Sequence, residues 1–78
     1  MLSFVLTSKI NRIKKNYKSV GTNLNSLGVA HAKRLSYRKA MKCFSDSLLA
    51  RKTTLGKRHP DVAETLHNMV RDIDIIKQ

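Results

Sequence analysis

At 78 residues the chain is one small domain or a piece of one, too short to enclose a catalytic cleft of its own. Hydrophobic residues make up 41%, enough for a core and too many for a disordered tail, while 3 Gly and 1 Pro argue against a turn-rich all-β chain. Lys and Arg number 16 against 5 Asp and Glu, a net charge of +11. With no acid before Asp46 the chain attracts anions, but charge alone does not choose among nucleic acid, anionic membrane and acidic peptide.

In chain order, Leu2, Leu6, Ile10 and Ile13 fall on one line and predict a helix over 2–14. Val20, Leu24, Leu27, Gly28 and His31 predict a second, over 19–33. Ala40, Met41, Phe44, Leu48 and Leu55 predict a third over 37–55, with Ser36 as its N-cap and Gly56 as its stop. Arg38 and Lys39 in that first turn have the wrong sign for the helix dipole. The strongest stripe is Val62, Leu66, Met69, Val70, Ile73 and Ile76, a helix over 60–76. His59-Pro60-Asp61 opens it: Pro tolerates the first turn, and Asp61 and Glu64 suit the dipole there. The expected fold is all-α, four antiparallel helices in a short right-handed α-α superhelix.

Shifting the sequence by 42 residues sets Val20 on Val62, Leu24 on Leu66, Leu27 on Met69, Leu2 on Phe44, Leu6 on Leu48 and Ile13 on Leu55. The shift preserves both apolar stripes at once, and a period of roughly 20–50 residues marks stacked helical repeats. Leu24-Asn25-Ser26-Leu27-Gly28, then His31, Tyr37, Ala40, Phe44 and Leu48, and finally Leu55-Gly56-Lys57-Arg58-His59-Pro60-Asp61-Val62 resemble a tetratricopeptide repeat. The 42-residue variety of kinesin light chains, with its Leu-Gly-x-x-His-Pro-Asp-Val connector, is the nearest pattern, and the resemblance covers about residues 19 to 70. It implies that 1–18 is the degenerate second helix of a preceding repeat plus a connector, 19–59 a complete repeat, and 60–78 the first helix of a following one. The chain departs from the family at Leu35, where Gly is usual, at His31, usually aromatic, at Ser47, usually Ala, and at Arg38-Lys39, where acids are frequent. If position 35 needs a positive φ, Leu costs ~1–2 kcal/mol there.

The resemblance implies a non-catalytic scaffold whose groove, lined by the first helix of each pair, takes a protein or peptide segment. Helical phase turns Asn25, Val29 and Ala32 away from the stripe that packs on the paired helix, and His67, Arg71 and Asp74 are their counterparts on the last helix. In the family, Asn residues in this part of the helix often grip a bound backbone; Asn25 matches and Asn68 lies nearby. The groove candidates are therefore Asn25, Val29, Ala32, His67, Asn68 and Arg71, with solvated polar positions as the plainer reading. Lys33, Arg34, Arg38, Lys39 and Lys42 form a basic patch around the inter-helix turn, which would favour acidic segments or touch RNA backbone by charge.

Chemistry finds little foothold. His31, His59, His67 and Cys43 have no metal-ligand spacing, so neither metal nor cofactor is expected. No nucleophile motif is present, and Cys43 beside Phe44 reads as a small core residue. Gly21 to Gly28 is not a phosphate loop, and Asp72 and Asp74 point to different faces of one helix. The chain is expected not to be an enzyme. The expected partner is a protein or peptide segment, acidic ones favoured. The alternatives are a basic helical protein binding RNA or other polyanions by charge, and a fragment that self-associates through its end helices. No run approaches the ~20 apolar residues of a membrane span. A cytoplasmic location is expected; the basic, acid-free start offers a mitochondrial presequence as the alternative.

Overall fold

The computed structural model describes residues 2–77, with side chains from Asn16 to Lys77. Three helices follow in order: α1 (Leu2–Lys33), α2 (Tyr37–Leu55) and α3 (Pro60–Lys77), with no strand among the described residues. The all-α expectation holds, and the boundaries expected for the last two helices are met within a residue. The count of four does not hold, because the segments expected at 2–14 and 19–33 are one continuous helix of 32 residues. Lys14-Lys15-Asn16-Tyr17-Lys18-Ser19 holds neither Gly nor Pro, so nothing there breaks the backbone hydrogen bonding. At ~1.5 Å per residue such a helix runs for about 48 Å, most of the 57 Å long axis of the molecule.

α1 and α2 form an antiparallel pair. On α1, Gly21, Asn25, Gly28 and Ala32 recur at spacings of 4, 3 and 4 and are buried. Ala40, Phe44, Ser47 and Arg51 repeat the same spacing on α2 and are also buried. The small residues let the axes close in. The Phe44 ring lies over Gly28, Ala32 and Ala40 complete that cluster, and the Ser47 hydroxyl donates to the Gly21 carbonyl at 2.6 Å. Val29, Tyr37 and Met69 close the cluster from its rim.

The turn between them is a Schellman motif. The Ser36 N–H reaches the His31 carbonyl at 2.9 Å and the Leu35 N–H the Ala32 carbonyl at 3.0 Å. Leu35 takes the left-handed position at φ 63°, where Gly would sit without strain. Ser36 occupies the N-cap of α2, but its side chain makes no capping bond. Gly56 ends α2 as expected, with φ 88° and its N–H on the Lys52 carbonyl. α3 then starts from His59, whose Nδ1 accepts the Asp61 N–H at 3.1 Å and so acts as the cap.

α3 packs mainly on α2 and touches α1 lightly. Its buried face is Val62, Thr65, Asn68 and Asp72; of the apolar stripe read from the sequence Val62 is buried and Met69 and Ile73 are half-buried. Leu66, Val70 and Ile76 are exposed, since no helix among the described residues lies on them.

Candidate functional site

At the junction of the three helices a polar knot fixes α3 against the pair. Arg51, 4% exposed, points its Nη1 at three acceptors: the Asp61 carbonyl at 2.8 Å, the Thr65 hydroxyl at 3.0 Å and Glu64 Oε1 at 3.1 Å. Asn25 joins through its Nδ2, which donates to Glu64 Oε1 at 2.8 Å. The Asn25 Oδ1 in turn accepts from the Thr65 hydroxyl at 3.1 Å and from Asn68 Nδ2 at 3.2 Å. A buried charge needs such partners, and each partner of Nη1 comes from α3, so the knot sets the angle of that helix, while the buried Nε of Arg51 has no partner among the described residues.

Two groove candidates are consumed by this knot. Asn25 and Asn68 are bonded to each other and buried, so neither is free to hold a bound backbone in this conformation. Ala32 is buried too, inside the Phe44 cluster. The phase reasoning that turned Asn25 and Ala32 away from the pair is thereby corrected. Their face is the one α2 and α3 close upon, because Gly21 and Gly28 beside them admit a close approach.

Other candidates do come together. Val29, Ala32, Lys33 and Arg71 line one open cleft of about 260 Å³, completed by Tyr37, Asp72 and Ile75. Lys33 and Arg71 are exposed at its edge, while Val29 and Tyr37 are half-buried in its wall. His67 is exposed and does not line the cleft. Asp72 is the unusual wall residue: it is 1% exposed, and neither carboxylate oxygen has a hydrogen-bond partner. Loss of water pushes its pKa up from the ordinary carboxylate value, and neighbouring Arg71 offsets part of that rise. A second cleft, about 380 Å³ and mostly apolar, lies between α1 and α2, lined by Tyr17, Val20, Leu24, Asp46, Leu49, Ala50 and Thr53.

The basic patch is exposed throughout: Lys33 and Arg34 end α1, and Arg38, Lys39 and Lys42 start α2. Among the described residues only Lys42 of these five is ion-paired, with Asp46 at 3.7 Å on the surface. Sequence reasoning missed Arg51, Thr65 and Asp72. The legible signal was spacing: Arg51 follows Ser47 and Phe44 on the packed line of α2, and Thr65, Asn68 and Asp72 follow Val62 on α3. No three His, Cys, Asp or Glu side chains gather among the described residues. No family model, no curated protein and no solved structure matches the chain.

Proposed function

We propose that the chain is a non-catalytic docking module for a protein or peptide segment, built as a tetratricopeptide-type helix pair of the kinesin-light-chain variety with one further helix. The observation that carries this reading is the α1–α3 cleft, where Val29, Ala32 and Arg71, all groove candidates, meet Lys33 of the basic patch. Apolar side chains supply most of its wall, with the Asp72 carboxyl set among them, and two cations supply its rim, which suits an acidic segment with an apolar anchor. The helix-pair geometry supports the repeat reading through Leu35 at the left-handed position and the Gly56 to Asp61 connector, with Gly56 as stop and His59 as cap.

The test is fluorescence anisotropy with a labelled acidic peptide carrying one leucine, against a neutral peptide of equal length. Tighter binding of the acidic peptide, weakened about fivefold or more by Arg71→Glu, is the expected result; an exposed rim charge of this kind contributes up to ~1 kcal/mol in either sign. Sequence-independent binding with a steep salt slope would instead favour polyanion binding by the five patch cations.

One observation supports self-association as a second reading: Leu66 and Val70, one turn apart on α3, are exposed, as is Ile76 near its end. Sedimentation velocity over a concentration series tests it. A monomer at every concentration removes it.

A further inference from the structure

Three departures from ordinary stability meet at the α1–α2 turn. Leu35 stands in the left-handed conformation at φ 63°, a position that Gly or Asn would occupy with less strain. It is also 73% exposed, more than any other large hydrophobic residue described. The first turn of α2 carries Arg38 and Lys39 against the helix dipole, with no acid in that turn and no side-chain cap from Ser36. An apolar residue held out into water among cations, of which only Lys42 is ion-paired among the described residues, is poor design for a free surface. Local costs of this kind concentrate where a surface has work to do.

We propose that this turn is a docking tip for the surface of an anionic lipid bilayer, with Leu35 entering the headgroup–acyl boundary and Lys33, Arg34, Arg38, Lys39 and Lys42 lying on the headgroups. The five cations fall within ten residues that contain no acid. The Schellman bonds hold the turn as one rigid projection, so Leu35 enters without a disordered loop having to be fixed first. Aliphatic character separates a bilayer from nucleic acid. Sequence-specific recognition of single-stranded RNA relies on aromatic stacking faces, and the nearest aromatic, Tyr37, is half-buried against the Phe44 cluster. An exposed leucine gains chiefly by leaving water, which the boundary region offers. Among the described residues no helix is long and apolar enough to cross a membrane, so the association is with the surface. Each Lys or Arg near such a surface strengthens partitioning about fivefold, and burying the leucine adds about tenfold or more.

Sedimentation of the full chain with vesicles tests the tip, comparing phosphatidylcholine alone with phosphatidylcholine containing about 30% phosphatidylserine. Binding is expected only to the anionic vesicles and to weaken with salt. Leu35→Gly relieves backbone strain, so this variant stays folded, yet it should partition about tenfold less. In Leu35→Trp the indole emission should shift to the blue on anionic vesicles. Three results would overturn the proposal. One is vesicle binding unchanged in Leu35→Gly with no blue shift in Leu35→Trp, which means contact by charge alone. Another is no binding to anionic vesicles at low salt. The third is a preference for single-stranded RNA over the vesicles, which assigns the patch to nucleic acid.

Discussion

Gly28→Ala is the substitution on which the packing of α1 and α2 can be judged most sharply. A Cβ at this position would meet Phe44 ring atoms at 2.5, 2.7 and 2.9 Å. Ordinary carbon contacts lie at ~3.5–4.0 Å, so the ring or the helix must move by about 1 Å. The ring has nowhere to go: Phe44 is fully buried with Ala32 and Ala40 around it. Overpacking of this kind costs ~1–3 kcal/mol, and three ring atoms in conflict place it at the upper end. Helix propensity works the other way, by ~1 kcal/mol in favour of Ala. The net expectation is a loss of about 1–2 kcal/mol, a fall in Tm of roughly 4–8 °C per kcal/mol in a chain this small. Urea and thermal unfolding followed by far-UV circular dichroism measure it. Phe44→Leu trims the ring and should itself destabilise. Combined with Gly28→Ala it should cost less than the two single changes together, because the clash is then gone. The reasoning is refuted if Gly28→Ala gains the full propensity term, or if the two changes simply add.

Two other perturbations probe the buried polar groups. The Asp72 carboxyl has its pKa raised by burial, so the folded chain holds its proton at pH values where the unfolded chain has released it. Stability from this group therefore falls as pH rises from the unfolded value of ~3.9 through the raised folded one. Asp72→Asn should remove that slope and melt higher than the parent at neutral pH; parallel pH profiles of Tm would refute this. Arg51→Ala should cost about 2–4 kcal/mol in urea unfolding, since it strips three acceptors of one buried donor. Glu64→Gln should cost under ~1 kcal/mol, because that carboxylate is 56% exposed and water screens its pairing with Arg51. Equal losses in the two variants would mean that the ion pair, not the hydrogen bonding, holds the knot.

Helix type and helix ends were legible because they depend on neighbours in sequence. Gly56 stopped α2 and the His59-Pro60-Asp61 run opened α3 where local rules place them. The strain expected of Leu35 was legible for the same reason. Which face of each helix is covered was not. Hydropathy ranks Leu66 and Val70 above Thr65 and Asp72, yet the latter are buried and the former exposed. On α1 the close line is Gly21, Gly28 and Ala32, residues with too little side chain to register in an apolar stripe but small enough to admit α2. Arg51 reads as surface by residue type, and only its place one turn beyond Ser47 marks it as inward. The continuity of α1 was hidden differently. The 42-residue correspondence demands a turn near residue 18, while the residues there supply no chain breaker, and local chemistry prevails.

The same correspondence explains why the large apolar residues look outward. Leu24 and Gly28 map onto Leu66 and Val70. In α1 that face is covered by α2, so Leu24 is half-buried and Gly28 buried; in α3 it is uncovered, and Leu66 and Val70 stand in water. In reverse, Val62 and Met69 of α3 are packed, and their counterparts on α1, Val20 and Leu27, are exposed. Each end helix thus exposes the face that its counterpart buries. In stacked helical units, stability is approximately a sum over each unit and its interfaces with neighbours. Among the described residues only the interfaces α1–α2 and α2–α3 contribute largely. The core among the described residues is correspondingly small, with Phe44 and Val62 the only large apolar side chains fully enclosed. Whatever covers the Leu66–Val70 face or the Val20–Leu27 face adds an interface that the isolated chain lacks, and stabilises it by mass action. Until then the fold rests on the contact between Phe44 and Gly28, and on the knot around Arg51 that holds α3 to the pair.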